Sequence, residues 1–221
     1  MTESLSLEQR HAALEAIAAQ VRACDKCALH AAGRTNAVPG AGDYAAEIMF
    51  IGEGPGFNED RQGLPFVGQS GKLLEEMLTL IGLTRAQVFI TNVVKCRPPE
   101  NRDPQPDEVS TCTQAYLYRQ IELIAPKVIV TLGRFSMGLF FPNAKITQIH
   151  GQAKWQDGRA YLPLYHPAAV LRNMATLKPQ MEADFRQIPQ LVAAWDAQQS
   201  ASTGAAAAPE APEPPEQLTL F

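Results

Sequence analysis

The stretch Glu47–Gly56, EIMFIGEGPG, decides the fold. Its first half is a short apolar run, and its second half is a turn crowded with glycine. A strand with one wet face alternates apolar and polar residues, so an unbroken run of this length reads as a strand buried on both faces. Val88–Lys95 (VFITNVVK) and Val128–Gly133 (VIVTLG) have the same character, and Arg159–Tyr165 reads as a fourth strand leading into His166-Pro167. Helical patterns lie between and around them. Residues 7–23 repeat apolar positions at helical spacing. Gly71–Ile81 does the same, with Gly82 as its stop. Pro106–Ile124 opens with a proline and acids, and Pro179–Ala197 reads as a last helix. Alternating strands and helices predict an α/β protein: a three-layer α/β/α sandwich with a central, mainly parallel four-stranded sheet.

At 221 residues, 46% of them apolar, the chain suits one domain with a full core. No apolar run is long enough to span a bilayer, and the first residues, MTESLSLEQRH, do not read as a signal peptide. A cytoplasmic protein is therefore expected. The net charge of −4 looks unpromising for a partner of nucleic acid, but Asp196, Glu210, Glu213 and Glu216 account for all of it. Residues 1–195 hold 19 acids and 19 bases, so any basic face must be local.

The four cysteines are Cys24, Cys27, Cys96 and Cys112. The two-residue gap between the first pair lets both thiolates face one metal centre. The second pair arrives far downstream and is split by fifteen residues. Neither half is complete alone, so a shared site would tie the N-terminal segment to the middle of the chain. Disulfides are rare in a cytosolic protein, which favours a metal. Four sulfurs fit either tetrahedral zinc or an iron–sulfur cluster, and spacing alone does not separate the two.

In open parallel sheets, ligands bind at the carboxyl ends of the strands. The notable loops fall there: GEGPG after the first strand, Asn92 near the end of the second, and His166 after the last. GEGPG is not a Walker motif, since no Gly-Lys-Ser/Thr follows at the required spacing. Phe66 sits in a glycine-punctuated loop, better placed to stack on a planar ligand than to fill a core.

These segments (GEGPG…ED, PFVG..GKLL, ITNVVKCRPPENRDP, VTLG and HPAAVLRN) agree in order and spacing with a known family. Over roughly residues 10–190 the chain resembles the family 4, iron–sulfur branch of the uracil-DNA glycosylases. The resemblance implies a nucleoid-associated monomer that hydrolyses the N-glycosidic bond of uracil in DNA, with all four cysteines holding a [4Fe-4S] cluster. It implies that a flipped uracil stacks on Phe66 and that Asn92 reads its polar edge. His166 would stabilise the charge that develops on the departing base, and Glu53 would face the sugar and its oxocarbenium-like state. Gly54 lies where other branches carry a bulky side chain against thymine's methyl, which leaves Glu59 as the candidate for rejecting thymine. Val170 and Leu171 offer an apolar wedge for the vacated stack, and Arg172 a phosphate contact. The alternatives are a sister enzyme acting on another deaminated or mismatched base, a non-turnover DNA binder, and a redox sensor. Glu53 argues against branches with an apolar residue there. The absence of a basic insertion between Phe66 and Leu80 argues against a covalent trap.

Residues 1–196 are thus expected to form the glycosylase domain. Residues 197–216, rich in Pro, Ala and Glu, lack large apolar side chains and are expected to form a disordered linker. The chain ends in Gln217-Leu218-Thr219-Leu220-Phe221, which resembles the peptide by which bacterial repair proteins dock on the sliding clamp. Gln217, Leu218, Leu220 and Phe221 would make that contact.

Overall fold

The computed structural model describes residues 5–205. Its helices are α1 (Leu7–Arg22), α2 (Phe57–Gln62), α3 (Gln69–Leu80), α4 (Pro106–Cys112), α5 (Tyr118–Ile124), α6 (Arg134–Gly138), α7 (Ile146–Ile149), α8 (Pro167–Arg172), α9 (Met174–Phe185) and α10 (Ile188–Ala205). Its strands are β1 (Ala41–Gly42), β2 (Ile48–Gly52), β3 (Phe89–Asn92), β4 (Val128–Leu132), β5 (Lys154–Gln156) and β6 (Arg159–Leu164). Among the described residues they form one sheet in the order β1-β3-β2-β4-β6-β5.

The four strands expected from the sequence are the inner four, all parallel, and all but one of their residues are buried. The sheet has six strands rather than four, because β1 and β5 add antiparallel edges. Neither edge had a readable pattern: β1 is two residues long, and all three residues of β5 are exposed. Alternate residues of β2 face opposite layers. Met49 and Ile51 pack under α1 and α5 with Leu14, Val21 and Ile121. Ile48 and Phe50 pack under α3 and α9 with Leu74, Met77 and Phe185. Phe50 stacks on Phe185, ring centroids 5.8 Å apart. Burying a Phe is worth about 1.5–3 kcal/mol, so these two layers supply much of the stability.

Two helical expectations need correction. The segment expected as one helix over 179–197 is split between α9 and α10. Pro179 does not start a helix but lies inside α9, and it is Pro189 that sits in a first turn, where a missing N–H costs nothing. The α10 helix also continues to Ala205, beyond the expected domain edge at 196. The rest of the linker, and the peptide 217–221, lie outside the described residues. The helix expected over 106–124 is present as α4 and α5, joined by a π turn over Thr113–Leu117, next to Cys112.

Candidate active site

Strand order reverses around β2, and the loops leaving β2, β3, β4 and β6 meet over its carboxyl end. Asn92 pairs in register with Gly52, and Val93 and Val94 donate their N–H groups to the carbonyls of Gly52 and Glu53. This pairing holds GEGPG flat against the end of β3. At Gly54 a Cβ would fall 2.8 Å from Val94 Cγ2, so a larger residue there must displace Val94.

Phe66 takes the left-handed conformation (φ 53°), unusual for a bulky residue, and is only 5% exposed. Several groups impose that strain. Glu59 Oε1 accepts from the N–H groups of Val67 and Gly68, both at 2.9 Å, and its Oε2 accepts from Gly56 N–H at 3.1 Å. Arg85 donates to the carbonyl of Phe66 at 2.7 Å and also to that of Pro65. Gly71 leaves room for the turn, since a Cβ there would lie 1.8 Å from the Phe66 oxygen. Arg85 was not foreseen, and nothing around it in sequence marks it. Glu59 spends both carboxylate oxygens on backbone, so its observed work is to clamp the two loops together.

The Phe66 ring lies 5.7 Å from the His166 ring, at an interplanar angle of 31°. Both rings line a cleft of about 320 Å³, together with Glu53 and Asn92. A second lobe of about 580 Å³ shares Glu53 and His166 and extends past Tyr165, Arg134 and Arg172. Asn92 is 1% exposed, and its Oδ1 has no hydrogen-bond partner. An orphaned buried acceptor is costly, and here it lines a cleft that a ligand can enter.

His166 caps α8, its Nδ1 accepting from Ala168 N–H at 3.1 Å. That bond fixes the tautomer: Nδ1 keeps its lone pair and Nε2 carries the proton. Burial pushes the imidazole pKa down to about 4, and the Arg172 charge adds to the effect. The ring is therefore a neutral donor at neutral pH. Glu53 is half-buried, and burial first, then Asp103, raises its pKa, against the pull of Arg134 and Arg172. Its carboxylate accepts no hydrogen bond from any described residue.

The expected wedge is only half available. Val170 is fully buried in the core beneath α8, because neighbouring residues on a helix point in different directions. Leu171 is 37% exposed, and Arg172 is exposed beside it.

The four cysteines are free thiols gathered on the α1–α5 side of the sheet. Arg34 donates to Cys96 Sγ at 2.8 Å and to the Cys24 carbonyl at 2.6 Å. Lys95 N–H donates to Cys112 Sγ at 3.3 Å, and the Tyr116 hydroxyl hydrogen-bonds Cys24. Cys96 feels the charges of Cys24 and Cys27, and Cys112 those of Cys96 and Cys27, so the sulfurs converge on one region. Burial pushes Cys112 up to about 11 and raises Cys96, so a metal must displace protons to bind. Among the described residues no three His, Cys, Asp or Glu side chains are drawn into a ready single-ion site.

The model of the Uracil DNA glycosylase superfamily matches residues 39–188. The chain is 50% identical over 188 residues to a type-4 uracil-DNA glycosylase of Sulfurisphaera tokodaii, covering 80% of this chain and 84% of that one. It is 47% identical over 187 residues to the type-4 uracil-DNA glycosylase of Archaeoglobus fulgidus, covering 80% and 92%. It is 49% identical over 185 residues to that of Saccharolobus solfataricus, covering 79% and 84%.

The His166 environment gives a test. Folded protein refuses a proton that the unfolded chain accepts near the ordinary value of 6.5. Unfolding is therefore favoured as pH falls from about 6.5, and the effect levels off once the folded ring also protonates near 4. The His166 ring signals in an NMR titration should stay unchanged down to pH 5. His166→Gln should flatten the loss of stability across that window in urea denaturation. A midpoint near 6.5 would refute the neutral, buried imidazole.

Proposed function

The chain belongs to the uracil DNA glycosylase superfamily and groups with its type-4 enzymes, and from that premise we propose that it excises uracil from DNA and leaves an abasic site for base excision repair. The observation that carries this reading is the buried, unpartnered Oδ1 of Asn92 in a cleft that also presents an aromatic ring and a neutral imidazole donor. Uracil offers an N3–H flanked by carbonyl oxygens. An amide held with Oδ1 inward accepts that N3–H and leaves its NH₂ for O4. Cytosine, with an acceptor at N3 and a donor beside it, is mismatched on both counts.

The residues then divide the work. The nucleotide flips into the cleft and its base stacks on Phe66. His166 donates its Nε2 proton in a hydrogen bond to the uracil oxygen that gains charge as the bond to the sugar breaks. Being neutral, it stabilises that anion without first needing a proton from water. Glu53 faces the developing oxocarbenium ion and positions the attacking water. Glu59 and Arg85 act at one remove, holding Phe66 and the GEGPG loop in place. Gly54 keeps the cleft floor open, so thymine must be rejected by the shape of the clamped loop rather than by a side chain at 54. Leu171 enters the vacated stack, and Arg172 meets a phosphate.

The four cysteines suit a [4Fe-4S] cluster. They are thiols from two distant segments, and N–H groups of Arg34 and Lys95 already point at two of the sulfurs, as donors around such clusters do. When bound, the cluster supplies a covalent tie between the end of α1 and the segment from Lys95 to Cys112. Hydrolysis moves no electrons, so its part is structural. The terminal QLTLF is the proposed contact with the sliding clamp, Leu220 and Phe221 entering an apolar groove and Gln217 giving the polar anchor. No described helix is long and apolar enough to cross a membrane, in keeping with a protein that works on DNA in the cytoplasm.

Three outcomes check these assignments. His166→Ala should slow uracil release from an oligonucleotide by on the order of 10²-fold, and Asn92→Asp should lose the preference for uracil over cytosine. Wild-type rates in a folded His166→Ala protein would remove His166 from the chemistry. Protein purified without oxygen should be coloured and contain iron, and Cys96→Ala should lose both iron and soluble yield; one zinc and no iron would refute the cluster. Deleting residues 217–221 should abolish binding to a bacterial sliding clamp in surface plasmon resonance while leaving uracil release from short oligonucleotides intact. Equal clamp binding by both forms would end that proposal.

A further inference from the structure

Helix α2 turns both of its acids inward. Glu59 is spent on the N–H groups of Gly56, Val67 and Gly68, while Asp60 is buried and accepts from Thr35 and Asn36 N–H. What remains on the outer face is Phe57, 53% exposed, and Arg61 one turn later. The Arg61 guanidinium lies 5.6 Å from the Phe57 ring centroid. A second guanidinium, that of Arg97 in the cysteine-bearing loop, reaches the same ring at 5.2 Å. Arg97 is steadied by a hydrogen bond from Nε to Asn101 Oδ1 at 2.8 Å, and Asn101 lines both lobes of the cleft. Among the described residues neither arginine is in an ion pair. A half-exposed aromatic ring with two cations beside it, neither in an ion pair, thus stands on the rim of the cleft, next to Gly56 and Asn58, which line it. An aromatic surface with cations beside it matches one ligand chemistry well: an unpaired base attached to phosphates.

We propose that Phe57, Arg61 and Arg97 form a second nucleic-acid contact, which stacks an unpaired base of the strand beside the excised nucleotide and pairs with its flanking phosphates. The contact rests on the DNA-repair reading above but lies outside the base-reading cleft. It favours single-stranded or locally opened DNA, since a base already stacked in a duplex has no face to offer. The alternative is a purely structural role, in which the two guanidiniums only fasten α2 to the cysteine loop.

The test uses full-length protein and DNA without uracil, so it does not depend on turnover. Affinity for a fluorescent oligothymidylate and for a blunt duplex is measured by anisotropy across a series of salt concentrations. Phe57→Ala and Phe57→Leu should weaken oligothymidylate binding by roughly tenfold, the scale of losing one stacked base. Phe57→Trp should keep the affinity, and its fluorescence should be quenched on binding. Arg61→Gln with Arg97→Gln should lower the slope of log affinity against log salt by about 1.4, or 0.7 for each phosphate contact on a single strand. Unchanged affinity in both Phe57→Ala and Phe57→Leu, or an unchanged salt slope in the arginine variant, would overturn the proposal. So would an equal loss on the duplex in Phe57→Ala. A wild-type protein that releases no uracil would defeat the excision reading alone, because the anisotropy series would still score the patch.

Discussion

Gly52 ends β2 with a hydrogen where any other residue would place a Cβ 2.4 Å from Asn92 Oδ1 and 2.6 Å from Phe66 Cζ. Distances that short are forbidden between real atoms, and the obstacles are a buried amide and a buried ring rather than flexible side-chain ends. The constraint propagates outward. Because Gly52 yields, Asn92 can turn its amide over the strand end and Phe66 can lie beside it. Because Phe66 lies there in a left-handed conformation, its loop needs Glu59, Arg85 and Gly71 to hold it. A matching contact occurs one strand over, at the end of β4. At Gly133 (φ 88°) a Cβ would come 2.9 Å from His166 Cβ, so a second glycine sets how closely the imidazole approaches. The cleft is thus sized by two missing side chains at the ends of β2 and β4.

Behind the cleft, polar burial is concentrated where the site meets the cysteines. Lys95 is 1% exposed, and its ammonium donates to Thr91 Oγ1, the Asn92 carbonyl and Gln120 Oε1. Gln120 in turn donates to the Pro39 carbonyl. Burial lowers the lysine pKa to about 8, against the pull of Cys112. A buried charge of this kind is a poor source of stability compared with an apolar residue of the same volume, but it can specify one arrangement of its neighbours. Here it ties the end of β3, at Thr91 and Asn92, to Gln120 on α5. Its own N–H points at Cys112 Sγ, so the strand end that carries Asn92 and the cysteine site share one residue. Glu108, fully buried against Arg102 and the N–H of Gln105, fixes the far end of the same loop.

Much of this was legible in the sequence, for identifiable reasons. The inner strands announced themselves because both faces are buried, which leaves an unbroken apolar run. The site loops could be placed because parallel strands send all their carboxyl ends to one edge. The edge strands β1 and β5 could not be read, since two or three residues carry no periodicity and their pairing is set by neighbours distant in sequence. Arg85 and Arg34 were missed for a related reason. Each acts through contacts with residues ten or more positions away, two carbonyls in one case and a sulfur and a carbonyl in the other, and no local pattern encodes such contacts. Val170 shows the opposite failure. A motif places it beside Leu171, but the turn of α8 sends one side chain into the core and the other into solvent.

The charge balance carries the same lesson to the scale of the whole surface. A count of 19 acids and 19 bases over residues 1–195 predicts no attraction for a polyanion. A count, however, weighs every carboxylate equally, and several here have no field to offer outside. Glu59, Asp60 and Glu108 are turned inward onto backbone N–H groups or a paired guanidinium, and Asp184 is buried against His150. An acid that accepts inward donors keeps its charge but turns its oxygens away from solvent, whereas an arginine on the rim keeps its charge facing solvent. Beside the cleft, Arg61 and Arg97 are in no ion pair among the described residues, which a count over the whole chain does not reveal. The geometry of hydrogen bonding, rather than the net charge of −4, thus decides which charges the surface presents to a partner.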